Sequence, residues 1–241
     1  MTKWASLALL ASLTVMNRPA FAEGCPVPDP FTISPNDLPA TKAALAKGTL
    51  TVLALGGAST LGGPAKGARF TYPARLEARL REAFPKVTVT VAMRAVARES
   101  DAALLTSLET SLASVKPALV VWGPGGSAAA RGDDLDTFLS TINEVIGQVR
   151  VADADLILMT LQYAPSVSRL VNLGPYRMAV LRGGNDAGVP VLDRYELMRF
   201  WSDNDFLDLD ATNADARIRV SRTLYDCMAE ILANAIVDAT K

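Results

Sequence analysis

The stretch Thr49–Gly63, TLTVLALGGASTLGG, constrains this chain more than any other. Thr49 to Leu55 alternates and then runs apolar, the pattern of a buried strand. It stops at Gly56-Gly57, where two residues without Cβ let the backbone turn sharply. Ala58, Ser59 and Thr60 follow at once. A strand that ends on a glycine turn, with a helix further on, sets that turn at the carboxyl end of a sheet. Open α/β sheets bind ligands and do chemistry there.

The remaining segments alternate in the same way. Leu38–Lys47 predicts a short helix that Gly48 can end. Tyr72–Phe84 is a helix with Pro73 in its first turn, and Leu76, Leu80, Ala83 and Phe84 keep helical spacing. Val87–Met93 is a β-branched second strand. A helix over Ser100–Val115, capped by Ser100 or Asp101, leads to a third strand, Ala118–Trp122. That strand runs into a second glycine turn, Gly123-Pro124-Gly125-Gly126. A helix over Asp133–Val151 and a strand over Leu156–Leu161 come next, then an irregular loop and another helix within Tyr163–Gly188. A short fifth strand, Val189–Leu192, a helix over Asp193–Trp201 and a last helix over Asp215–Ala239 complete the chain. Strands that alternate with helices predict an α/β fold, a three-layer αβα sandwich around a central parallel five-stranded sheet.

The amino terminus has a different character. Lys3, the apolar run Trp4–Met16 and the small-x-small Ala20-Phe21-Ala22 read as a secretory signal cleaved after Ala22. An uncleaved anchor, or lipid attachment at Cys25, is the other use such a segment has. The run is too short to span a bilayer, and no later segment reaches about 18 apolar residues. The expected organisation is a signal peptide over 1–22, an arm and short helix over 23–48, and one domain over 49–241. The expected compartment is periplasmic or extracellular. There Cys25 and Cys227 can pair, which would tie the N-terminal arm to the last helix; two buried free thiols are the alternative.

Composition removes several functions. A net charge of −1 gives no electrostatic footprint for nucleic acid or for an acidic membrane surface. The count of histidine is 0, so no imidazole can act as a base or bind a metal. Two cysteines roughly 200 positions apart do not make a zinc site. Gly125-Gly126 lacks a following Lys-Ser/Thr and any GxGxxG frame, which argues against a nucleotide site. No metal and no cofactor are expected.

Taken in order, the segments LALGGASTLGG, VTVAMRAVARES, LVVWGPGGSAAARGDD, LMTLQYAP, GVPVLDRYELMRFW and YDCMAEIL resemble the SGNH/GDSL hydrolases, in particular a secreted bacterial subgroup. The resemblance covers roughly Thr49 to Leu232 and implies their flavodoxin-like αβα fold. It also implies an ester-hydrolysing site. A serine on the first glycine turn attacks, a C-terminal histidine takes its proton and an aspartate orients that histidine. Backbone and asparagine donors hold the oxyanion. Here the implied nucleophile slot holds Ala58, with Ser59 one residue away. The oxyanion glycine slot holds Arg98, and the asparagine slot holds Ser127. The histidine slot holds Arg219, or Ala211 in a rival alignment that starts from Asp208.

The sequence therefore predicts a hydrolase-like protein that has lost Ser-His-Asp chemistry. Its altered cleft, with Ala58, Arg98, Ser127 and Arg219, can suit a small anionic ligand or a partner's acidic side chain; the other reading is that Arg98 and Arg219 face water or pair with Glu99 or Asp215. The alternative is an esterase or acylhydrolase, with lipid or acetylated carbohydrate as substrate, that uses Ser59 with a base other than histidine. Lys42, Lys66, Asp193, Asp208 and Asp215 are the candidates for that base. A carbohydrate-modifying accessory that acts on acetylated polysaccharide is the third class. Trp122, Trp201, Tyr163 and Tyr195 read as core or cleft-wall aromatics.

Overall fold

The β-branched and leucine-rich runs pair side by side because the inner ones must bury both of their faces. In the computed structural model, which describes residues 24–28 and 37–241, they form one five-stranded, all-parallel sheet of order β2-β1-β3-β4-β5. The strands are β1 (Thr49–Gly56), β2 (Thr88–Ala95), β3 (Leu119–Trp122), β4 (Asp155–Met159) and β5 (Val191–Leu192). The proposed signal peptide and most of the arm fall outside the described residues.

The period of two along each strand feeds two separate cores. From β1, Leu50, Val52 and Ala54 enter one core while Leu53 and Leu55 enter the other. Leu119 and Val121 of β3 alternate with Val120 and Trp122 in the same way. The first core is covered by α1 (Pro39–Ala46), α2 (Tyr72–Ala83), α8 (Arg194–Asp203) and α9 (Ala214–Ala239). The second lies under α3 (Asp101–Val115), α5 (Leu135–Val151) and α7 (Gly174–Ala187). These are the three layers that the alternation predicts.

The helices start where the sequence places capping groups. Thr71 accepts from the Ala74 amide at the head of α2, and Ser100 accepts from that of Ala103 at the head of α3. Asn213 caps α9 through the amides of Asp215 and Ala216. Two short helices go beyond the sequence reading, α4 (Gly126–Arg131) and α6 (Pro165–Ser168). Strand ends shift by a few residues. β2 runs on to Ala95 because it stays in register with β1 as far as Gly56, whereas β4 stops at Met159 and β5 starts only at Val191.

Cys25 and Cys227 form a disulfide, with Cα atoms 5.5 Å apart. The pairing closes a loop of 202 residues. Chain-entropy arguments give such a closure about 5 kcal/mol, less any strain. Next to it, Trp201 Nε1 donates to the Pro26 carbonyl at 2.6 Å and the Cys25 amide donates to Glu230 at 3.4 Å. The described arm is thus fastened to α8 and α9. Among the described residues, no helix is long and apolar enough to cross a membrane.

Candidate functional site

The strand order fixes where a cleft opens. β2 lies on one side of β1 and β3 on the other, so the chain reverses direction across the sheet at β1. The connections leaving the carboxyl ends of β1 and β3 diverge and leave a crevice. A cavity of about 600 Å³ lies there, lined by Gly56–Ser59 after β1 and by Trp122–Ala128 after β3. Val96, Arg98, Glu99, Leu104, Arg131, Phe138, Gln162 and Arg194 also face it.

The two turns lie close together, and a Cβ at either Gly57 or Gly123 would meet only ordinary van der Waals contact. A Cβ added at Gly57 would come 3.7 Å from the Val96 carbonyl oxygen and 3.8 Å from Ser127 Oγ. One added at Gly123 would come 3.4 Å from Arg194 Nη2. In the first turn, the Thr60 and Leu61 amides both donate to the Gly57 carbonyl, at 3.0 and 3.2 Å. The amides of Ala58 and Ser59 have no backbone acceptor among the described residues.

The sequence candidates separate into two groups. Ala58, Ser59, Arg98 and Ser127 line this one cavity. Ala58 and Arg98 are exposed, and Ser59 and Ser127 are half-buried. Arg98 has φ of 60°. The position that the hydrolase resemblance assigns to a glycine thus keeps a backbone conformation that glycine favours. Arg219 does not join them. It is exposed on α9, nine positions or two and a half turns before the buried Met228, and so on the opposite side of the helix. Its place in the cleft, expected from the sequence, is corrected on that ground.

None of the bases considered for Ser59 lines the cavity. Asp193 accepts from Thr160 Oγ1 at 2.9 Å, from Arg177 Nε at 3.0 Å and from the Glu196 amide at 3.3 Å. Asp208 accepts from the Asp210 amide, and Asp215 is exposed in the first turn of α9. Lys42 donates to the carbonyl of Lys241. Of the charges that do line it, Glu99 is paired with Arg94, and Arg131 with Asp133.

The group that meets Ser59 is Arg194, which the sequence reading did not single out. Its Nη1 donates to Ser59 Oγ at 3.4 Å and its Nε donates to the Thr160 carbonyl at 2.9 Å. The residue is only 3% exposed, and among the described residues it has no carboxylate partner. Burial holds its guanidinium down to about 10, against the opposing pull of Tyr72 and Tyr225. Burial also pushes the Tyr72 phenol up to about 12 and raises Tyr225. At neutral pH the site therefore contains a buried cation between neutral phenols, and a serine hydroxyl that accepts a hydrogen bond. A guanidinium does not remove a proton from serine under these conditions. The signal for Arg194 was its place directly after β5 and Asp193, again at a strand's carboxyl end.

Residues 24–241 match the model of the non-GDSL lipase-like family. Comparison with curated proteins finds no match. Among solved structures, the chain is similar to a putative lipolytic protein of the G-D-S-L family from Desulfitobacterium hafniense DCB-2. The identity is 17%, over 77% of this chain and 98% of that one, and the TM-score is 0.59. It is also similar to the acetylxylan esterase Axe2 from Geobacillus stearothermophilus, at 18% identity over 78% and 94% of the two chains, with a TM-score of 0.62. A lipase/acylhydrolase from Enterococcus faecalis gives 19% identity over 78% and 95%, with a TM-score of 0.61.

Proposed function

The chain belongs to the non-GDSL lipase-like family, and from that premise we propose that it is a secreted or periplasmic binding or accessory protein that no longer hydrolyses esters. In this reading the carboxyl-end cavity holds a small anion, or an acidic side chain of a partner, where relatives of this fold hold a scissile ester. The observation that carries the reading is the partner of Ser59. The serine faces a guanidinium, a donor, while ester hydrolysis needs an acceptor there to take its proton. Removing the base of a serine triad costs about 10⁶ in turnover, so the scaffold alone would leave little activity. The disulfide fits an oxidising compartment.

The second reading is an esterase or acylhydrolase that uses Ser59. It is favoured by the position of Ser59 on the cavity wall and by the esterases among the similar structures. Hydrolysis of p-nitrophenyl acetate and of acetylated xylo-oligosaccharide by the protein and by Ser59→Ala separates the two. The expected result is the same background rate for both. Turnover that disappears in Ser59→Ala would establish the enzyme instead. Binding of the intact oligosaccharide without turnover would point to a carbohydrate accessory role.

A further inference from the structure

The chemistry of the cavity narrows the anion. Arg194 is a buried cation with two neutral acceptors, the Ser59 hydroxyl and the Thr160 carbonyl, and no counter-ion among the described residues. A buried charge is costly unless an opposite charge meets it. Around the rim, Arg94 with Glu99 and Arg131 with Asp133 already cancel one another. Arg98 is exposed, so solvent screens it. Among the described residues, the uncompensated charge inside is therefore one. A monoanion neutralises it, whereas a dianion would leave a buried negative charge in its place. A carboxylate also matches a guanidinium in shape, because both are planar and can meet by paired hydrogen bonds. The same cavity is also walled by the buried and largely apolar Leu104, Trp122 and Phe138.

We infer that Arg194 anchors a monocarboxylate whose compact apolar body lies against Leu104, Trp122 and Phe138. This rests on the anion-binding reading and gives it a ligand class. Ser59 then acts as a positioning residue: its hydroxyl accepts from Arg194 and donates its own proton to the carboxylate. A cavity of about 600 Å³ accommodates a ligand of one ring or a short branched chain with room to spare.

The test is titration calorimetry on the full chain with four probes. Phenylacetate has charge and apolar body, phenylacetamide has the body alone, acetate has the charge alone, and sulfate is a dianion. Phenylacetate is expected to bind at least about tenfold more tightly than each of the others. In Arg194→Met, phenylacetate should lose its preference over phenylacetamide. In Ser59→Ala, phenylacetate should weaken while its preference over phenylacetamide persists. Equal binding of phenylacetate and phenylacetamide by the unaltered protein overturns the assignment, and this comparison stands even if Arg194→Met does not fold. Sulfate binding tighter than phenylacetate overturns the ligand class but leaves the anion-binding reading in place. Ester turnover that depends on Ser59 removes that reading, whatever the probes do. Binding by none of the four overturns the inference.

Discussion

The two ends of the sheet offer two hollows, and the larger is the less equipped. At the amino end a trough of about 1000 Å³ runs between α1, α3 and α5. Small residues such as Ala40, Ala44, Ala113, Gly147 and Ala152 line it, and its charged residues Lys47, Glu109, Lys116, Glu144 and Asp153 are all exposed. The buried polar group beside it is settled. Thr41 donates to Asp155 through both its amide and its hydroxyl, each at 2.7 Å. At the carboxyl end the cavity is only about 600 Å³, yet it contains a buried guanidinium with no counter-ion among the described residues. Volume at the amino end is what remains where small side chains face one another. A desolvated charge costs stability and is kept only where something else compensates it. The contrast supports the proposal that ligand chemistry sits at the carboxyl end and not in the larger trough.

Glycines at the two ends provide the strongest way to break that contrast. A Cβ at Gly56 would collide with Thr60 Oγ1 and lie 3.2 Å from Thr60 Cβ. Thr60 is buried and β-branched, so it has little freedom to rotate away. Gly56→Ala is expected to destabilise the protein by about 1–3 kcal/mol, as overpacking does. At Gly147, inside α5 and on the wall of the amino-end trough, a Cβ would meet nothing within 4 Å. Gly147→Ala is expected to stabilise by about 0.5–1 kcal/mol, because alanine loses less backbone entropy in a helix. Denaturant melts of both variants check the pair. Equal effects would mean that the two ends are packed alike.

The same contrast explains what the sequence could tell. Strand and helix identity followed from local pattern. VTVTVAM alternates whatever it packs against, and Thr71 and Ser100 cap their helices through residues only three positions ahead. The glycine turns after β1 and β3 were legible as turns, and the sheet order then brought them together. Arg194 was not legible as a site residue. Its burial depends on α2 and α9, which supply Tyr72 and Tyr225 from more than 30 positions away on either side. Arg219 failed for the complementary reason. A slot counted along a gapped motif gives no helical phase, and the phase of α9 turns that residue outward.

A second, smaller effect concerns pH, and it sharpens the role of the buried cation. Arg194 faces Tyr72 on α2, Tyr225 on α9 and Ser59 on the first turn, with no carboxylate among the described residues. In the free protein it loses its proton near pH 10, whereas Tyr72 keeps its own to about 12. Phenylacetate affinity should thus be flat up to about pH 9 and then fall towards about tenfold per unit above 10. Stability responds in two opposite senses. Above pH 10 the unfolded chain still holds the Arg194 proton that the folded chain has released, so this contribution rises with pH. Between pH 10 and 12 the unfolded chain has lost the Tyr72 proton that the folded chain keeps, so that contribution falls. Arg194→Met removes only the first, and its stability should drop more steeply over that window than that of the unaltered protein. Parallel curves would show that Arg194 is not the group titrating there.

The smallest effect tests whether the carboxyl-end turn retains the geometry of its hydrolase relatives. Arg98 has φ of 60°, a region that costs an L-residue about 1–2 kcal/mol and costs glycine nothing. Its side chain is exposed, so little packing is lost when it is removed. Glycine in turn gives back about 0.5–1 kcal/mol through the greater freedom of the unfolded chain. The net expectation for Arg98→Gly is a stabilisation of about half a kcal/mol, read from the denaturation midpoint at unchanged slope. Arg98→Ala retains the strained backbone without the guanidinium, and should change stability by less. If Arg98→Ala is the more stable of the two, the left-handed turn is not strained, and the arginine is held there by contacts of its own. If phenylacetate affinity falls more than a few-fold in both variants, the exposed rim cation contributes to binding alongside Arg194, and the division between a buried anchor and a solvent-screened rim has to be redrawn.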